Sequence, residues 1–136
     1  VQTASFIQPF CKLGLVPDAG GTWLLPQLVG RARATGLALL GDKLSAEQAA
    51  QWGLIWKCVA TADFEAEVNG VAKTLAAGPT LGYVRTREAI DAAATSTLDS
   101  QLDMERDMQR ELGNSQDYAE GVKAFNAKRP PVFTGQ

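Results

Sequence analysis

With 136 residues, 46% of them hydrophobic and 21% charged, the chain has the composition of one globular domain and not of a disordered segment. A net charge of −2 with the basic residues dispersed excludes the basic face that nucleic-acid binding requires, and no apolar run reaches bilayer length, so neither nucleic acid nor membrane is an expected partner. Histidine is absent, which removes Ser-His-Asp and Cys-His nucleophiles and the common zinc sites; no metal is expected, and acid–base work falls to Asp, Glu, Lys, Tyr or Cys.

In chain order, Ala4 to Phe10 reads as a strand or strand end, and Gly14 to Val16 continues extended. Val1 to Phe10 lacks the basic start and long apolar core of a signal peptide. Cys11 and Cys58 lie in apolar, strand-like segments without a Cys-x-x-Cys motif, and read as buried thiols of a cytoplasmic protein. Thr22 to Val29 is a short helix ended by Gly30, in which Pro26 must lie in the first turn or break the helix. Arg31 to Leu40 is a helix with a Leu/Ala face, stopped by Gly41-Asp42. Ser45-Ala46-Glu47-Gln48 is a capping-box pattern that starts a helix through Trp52, closed by Gly53. Leu54 to Val59 is the second strand candidate. Asp63 is placed as the cap of a helix to about Ala77, with Glu65 and Glu67 in its first turn, and Gly78-Pro79 breaks it. Further helices cover Leu81–Ala94, Leu98–Leu112 and Asp117–Lys128; in the second, Asp103/Arg106 and Asp107/Arg110 are i,i+3 partners.

Between the extended segment and the first helix lies Pro17-Asp18-Ala19-Gly20-Gly21. Pro17 restricts its own φ and biases Val16 toward extended geometry, while the glycines let the backbone pass close to a neighbour or ligand. Asp18, fixed on such a turn, is either an aimed general base or a helix N-cap, and local sequence alone favours the cap.

Two strand candidates stand against six or seven helices, and helices follow each strand, which suggests parallel βα pairing. Two strands cannot form a parallel sheet covered on both faces. The expectation is therefore that the sheet is completed by residues outside these 136, the chain being the C-terminal part of a longer protein.

Taken together, five segments carry a resemblance. They are Phe6–Thr22, ending in Leu13-Gly14-Leu15-Val16-Pro17-Asp18-Ala19-Gly20-Gly21-Thr22; Leu24–Ala34; Leu39-Leu40-Gly41-Asp42-Lys43-Leu44-Ser45-Ala46-Glu47-Gln48-Ala49; Trp52-Gly53-Leu54-Ile55; and the tail Phe125-Asn126-Ala127-Lys128-Arg129-Pro130-Pro131-Val132-Phe133. In order and spacing the chain resembles the crotonase (enoyl-CoA hydratase/isomerase) superfamily over nearly its whole length. The resemblance implies an α/β ClpP/crotonase-like fold, here its C-terminal portion: residues 1–60 as the end of the core with the active-site turn, and 61–136 as a helical region that covers CoA and builds trimers. It implies an acyl-CoA thioester substrate, with no cofactor beyond the coenzyme A of that substrate, in a homo-trimer or hexamer with a crotonase-family hydratase as a further partner. Family hydratases use two glutamates; one falls before this chain and the other where Phe10 stands, and Phe transfers no proton. The Pro-Asp-Ala-Gly-Gly-Thr-Trp variant instead points to isomerisation of a ring-epoxide acyl-CoA in phenylacetate catabolism. The resemblance implies Asp18 as the catalytic acid/base and Phe10, Gly20, Gly21, Trp23, Phe125 and Lys128 as substrate contacts. Enoyl-CoA hydration, double-bond isomerisation, or a non-catalytic oligomerisation role are the competing expectations. The family's two backbone oxyanion donors precede this chain, so the 136 residues alone are expected to be inactive.

Overall fold

The computed structural model describes residues 1–136, which divide into two compact units, Val1–Glu67 and Val68–Gln136, with the division inside a helix. In the first unit, strand β1 (Ser5–Phe6) leads into a 3-10 turn (Pro9–Leu13), helix α1 (Gly21–Val29) and helix α2 (Arg31–Leu40). Strand β2 (Leu44–Ser45), helix α3 (Ala46–Gln51) and a 3-10 turn (Thr61–Asp63) follow. Leu25 and Val29 repeat at i,i+4 on α1, and together with Ala34 of α2 they form the core, against which Leu37, Trp52 and Leu54 pack. Gly30, at φ 80° and ψ 156°, holds a conformation that a residue with a Cβ rarely adopts, and this makes the sharp corner between α1 and α2. The Arg33 guanidinium lies 5.0 Å from the Trp52 ring centroid, a cation–π contact on the outside of this core.

The second unit is helical. Helix α4 (Phe64–Ala76) enters it, and α5 (Thr80–Ala93), α6 (Leu98–Leu112) and α7 (Gln116–Asn126) follow. Thr97 caps α6 by accepting from the Ser100 amide at 3.2 Å, and Ser115 caps α7 by accepting from the Tyr118 amide at 3.0 Å. α5 is tied to α6 by Arg85, which donates to Glu111 at 2.7 Å, and by Gln101, which donates to the Ala89 carbonyl at 2.9 Å. Glu111, and after it Glu88, holds the Arg85 guanidinium more firmly protonated than a free arginine. The expected Asp103/Arg106 and Asp107/Arg110 pairs form at 2.7 and 3.3 Å.

The expected strand at Leu54–Val59 is not formed. The amides of Leu54 and Ile55 both turn back to the Ala49 carbonyl, at 2.9 and 3.4 Å, so they cannot join a ladder. The second strand is Leu44–Ser45 instead, and it pairs with β1 antiparallel, Ser5 opposite Ser45 and Phe6 opposite Leu44, where parallel pairing was expected. Pro26 lies beyond the first turn of α1 without breaking it; the Thr22 carbonyl loses its helical donor, and one turn later the helix closes at Gly30, whose amide donates to the Pro26 carbonyl at 2.9 Å. Asp63 is no cap: it ends a 3-10 turn, its own amide donating to the Ala60 carbonyl at 3.0 Å. Cys11 and Cys58 are half-buried, and Cys11 sits in the first 3-10 turn, not in a strand. Trp56 is 83% exposed and contributes nothing to a core within this chain.

Candidate functional site

The backbone at Asp18 is a tight turn. The Asp18 carbonyl accepts from the Gly21 amide at 2.8 Å, and both central residues have positive φ, 48° at Ala19 and 81° at Gly20. Positive φ at both central positions is the geometry of a type I′ turn. It delivers the chain directly into α1, whose N-cap is Gly20 and whose first amides are capped by no side chain. The capping reading of Asp18 is thus not realised, and its carboxylate stands exposed at the head of α1 without that duty.

Gly21 is closely packed at this point. A Cβ there would approach the Pro17 Cβ to 3.3 Å, tighter than side chains normally pack, and would stand 4.0 Å from Gln8 Oε1. The start of α1 is therefore pressed against Pro17, which fixes the two limbs of the turn that carries Asp18. Trp23 projects from the first turn of α1 and is 52% exposed, available as a wall and not spent as core. Phe10, half-buried, sits in the Pro9–Leu13 turn. That turn is clamped from both sides: Leu15 donates to the Phe10 carbonyl at 3.0 Å, and Gly41 at the end of α2 packs so closely that a Cβ would lie 2.9 Å from Cys11 Sγ. Phe10, Asp18, Gly20, Gly21 and Trp23 thus belong to one unit.

Gln8 was not singled out by the sequence. Its amide reaches the start of α1 and also lines a cavity of about 410 Å³ with Phe6, Ile7, Leu25, Leu37 and Leu44. An isolated Gln before a proline carries no local signal; its neighbours come from α1, α2 and β2.

Phe125 and Lys128 belong to the second unit, at the end of α7. Phe125 is 84% exposed, so it is not a core residue of this chain. Lys128 follows the α7 C-cap in the left-handed region, with φ 51°. Its amide donates to the Phe125 carbonyl at 3.1 Å, and the Arg129 amide donates to the Ala124 carbonyl at 3.1 Å. This pair of bonds is a Schellman motif with lysine at the position that glycine usually fills. Beyond it, Arg129 meets Glu120 through both guanidinium nitrogens, at 2.6 and 2.8 Å, and Glu120 also accepts from the Val132 amide at 2.9 Å. These donors, the Arg129 guanidinium foremost, hold the Glu120 carboxyl down at about 2. Asp117, 5% exposed, accepts from the amides of Thr134 at 2.7 Å and Gly135 at 2.9 Å.

A short antiparallel strand pair, a helical remainder and an exposed carboxylate on a Pro-Asp-Ala-Gly-Gly turn are the features the comparisons with known proteins bear on. The chain belongs to the enoyl-CoA hydratase/isomerase (crotonase) family, whose pattern it matches over residues 1–136. It is 56% identical over 135 residues to the 1,2-epoxyphenylacetyl-CoA isomerase of Escherichia coli K12, covering 99% of this chain and 52% of that protein. To the "Probable enoyl-CoA hydratase" of Rhodobacter capsulatus it is 49% identical over 135 residues, again 99% and 52%. Among solved structures, the enoyl-CoA hydratase of Bacillus anthracis superposes with a TM-score of 0.93 at 30% identity, over 99% of this chain and 52% of that one. The chain thus spans about half the length of the curated relatives it matches.

Proposed function

We propose that this chain is part of an acyl-CoA isomerase that converts a ring-epoxide phenylacetyl-CoA thioester to its oxepin form, with Asp18 as the acid/base. The observation that carries the reading is an exposed carboxylate with no capping role, on a turn that Pro17, Gly20 and Gly21 shape, in the same unit as a phenylalanine where the resemblance places the glutamate of family hydratases. The similarity to an epoxyphenylacetyl-CoA isomerase supports it. In this reading the thioester carbonyl is polarised by two backbone N–H groups outside these residues, donors worth roughly 3–4 kcal/mol each toward the enolate-like charge. Asp18 moves a proton at carbons near the thioester and assists opening of the epoxide. Gly20, Gly21, Phe10 and Trp23 shape the acyl end, and Phe125 and Lys128 meet the adenine and phosphate end of coenzyme A. No cofactor apart from the substrate's coenzyme A is invoked. The protein works as a homo-trimer or hexamer in the cytoplasm, with a crotonase-family hydratase as a further partner, and these 136 residues alone do not turn over. No helix is long and apolar enough to cross a membrane.

The hydratase relative favours a second reading, enoyl-CoA hydration. The complete gene product that carries these residues separates the two, wild type against Asp18→Asn, with the epoxide thioester and a simple enoyl-CoA as substrates. Loss of epoxide isomerisation with CoA binding retained supports Asp18 as the acid/base. Unchanged isomerisation removes Asp18 from the chemistry, and robust hydration by the wild type moves the assignment to the hydratase.

A further inference from the structure

Lys128 stands in a conformation that a residue with a Cβ avoids, at a helix terminus that glycine would close without strain. A strained backbone at a candidate contact is a reason to ask what holds it. Directly after it, Arg129 is fixed by two-pronged pairing to Glu120, and the same carboxylate takes the Val132 amide. Arg129 also donates to the carbonyl of the adjacent Pro130 at 2.9 Å, so its guanidinium joins its own loop to Glu120 on α7. Lys128 is thereby bracketed: the two Schellman bonds fix it on the helix side, and Glu120 fixes the next residue and the segment beyond. The Lys128 side chain itself is exposed and takes no part in the bracket.

We propose that Glu120, acting through Arg129, is a positioning residue that keeps Lys128 in its left-handed conformation and so presents the ammonium to the phosphates of coenzyme A. The inference rests on the reading of Lys128 as a CoA contact. Three observations on one segment support it: the left-handed lysine, the bidentate pair on its neighbour, and the second use of the same carboxylate on the Val132 amide. A fork-shaped guanidinium is suited to this, because bidentate pairing fixes direction as well as distance.

The test compares affinity for an acyl-CoA with affinity for the same acyl group on pantetheine, which lacks the adenosine phosphates, in the complete gene product. Lys128→Gly is expected to raise the thermal midpoint, by relieving strain, and yet to weaken acyl-CoA binding by about tenfold, the loss of one charged contact. Glu120→Gln and Arg129→Lys are expected to weaken acyl-CoA binding by roughly three- to fivefold, since the ammonium remains but the backbone that directs its stem is no longer held. All three variants should leave the pantetheine thioester unaffected, and Glu120→Gln should add nothing in the Lys128→Gly background. If Lys128→Gly leaves acyl-CoA affinity intact, the contact reading fails and the positioning role falls with it. If Lys128→Gly weakens binding but Glu120→Gln and Arg129→Lys do not, the contact stands and the positioning role is overturned. Equal weakening of both thioesters by Glu120→Gln would also overturn it, since that is the mark of a general structural defect.

Discussion

Ala19 and Lys128 are the two residues other than glycine with a left-handed backbone, and they are held in different ways. Ala19 lies in a four-residue turn closed by one bond, from the Gly21 amide to the Asp18 carbonyl, with packing of Gly21 on Pro17 as the further restraint. Lys128 is fixed by two backbone bonds and by a carboxylate that grips the next residue at two points. Each neighbours or is a candidate functional side chain. The first arrangement leaves a carboxylate exposed on a small turn, suited to a group that must meet a reacting centre. The second fixes the backbone from which an exposed cation projects, suited to a contact that only anchors.

The largest effect separates these two roles. Asp18→Asn keeps the shape of the turn, because the Gly21 bond uses only the Asp18 backbone, but removes the carboxylate proposed to transfer the proton. The turnover of the complete gene product is expected to fall by about 10²–10⁴-fold, with the KM for the thioester changed little. Steady-state kinetics on both substrates check it. A raised KM with turnover unchanged would make Asp18 an anchoring residue, the role proposed for Lys128, and dissolve the contrast.

The second effect is on stability and belongs to the second unit. Asp117 is buried and takes the amides of Thr134 and Gly135, while its own amide donates to the Gln136 carbonyl at 2.8 Å. Asp117→Ala leaves the two tail amides without their acceptor, and a loss of about 2–3 kcal/mol is expected. Urea unfolding measures it, and hydrogen exchange at Thr134 and Gly135 should localise it. Loss of protection that also reached the Asp18 turn would show that the two regions are not separately held.

How much of this was readable from the residues follows the same division between local and distant causes. Helices α2 and α6 lie at Arg31–Leu40 and Leu98–Leu112, as their pattern and breakers predict, because caps and stops act within a turn of the helix. The start of α3 at Ser45 is likewise local, its hydroxyl accepting from the Gln48 amide at 3.1 Å. Leu54–Val59 misled because an apolar run of that length reads as a strand, whereas two of its amides are consumed by one carbonyl of α3. The real partner strand, Leu44–Ser45, is too short to show any alternation. At the candidate site, the Pro-Asp-Ala-Gly-Gly turn announced itself through its residue types. The Lys128 bracket did not: a lysine occupies the helix-ending position that glycine would mark, and Glu120 meets Arg129 only because the chain reverses there.

A smaller effect probes the first turn. Ala19→Gly removes the strain of a Cβ at φ 48°, offset in part by the greater freedom of glycine in the unfolded chain. A net gain of about 0.5 kcal/mol is expected in denaturant unfolding. The same change loosens the turn that carries Asp18, so a lower turnover is expected alongside the higher stability. A variant both more stable and fully active would mean that the strain at Ala19 has no bearing on Asp18.

The smallest effect appears only in acid, and it tests the bracket without any mutation. Glu120 is held at about 2 in the folded chain, against an ordinary carboxyl value of 4.5, first by the Arg129 guanidinium and next by the Val132 amide. A carboxyl whose folded value is depressed contributes stability that is fully present above its unfolded value and is lost as pH falls through its folded value. The contribution of Glu120 should therefore be constant at neutral pH, decline from about 4.5 downward and be gone near 2. Hydrogen exchange at Val132 followed across this range should report its release, because that amide donates to the same carboxylate. In Glu120→Gln the acid-dependent release should vanish. The turn at Asp18, which lacks any such bracing carboxylate–guanidinium pair, should show no matching release at Gly21. A release at Val132 centred on the ordinary carboxyl value would mean that the Arg129 pairing does not persist in solution, and Lys128 would then be as lightly held as Ala19.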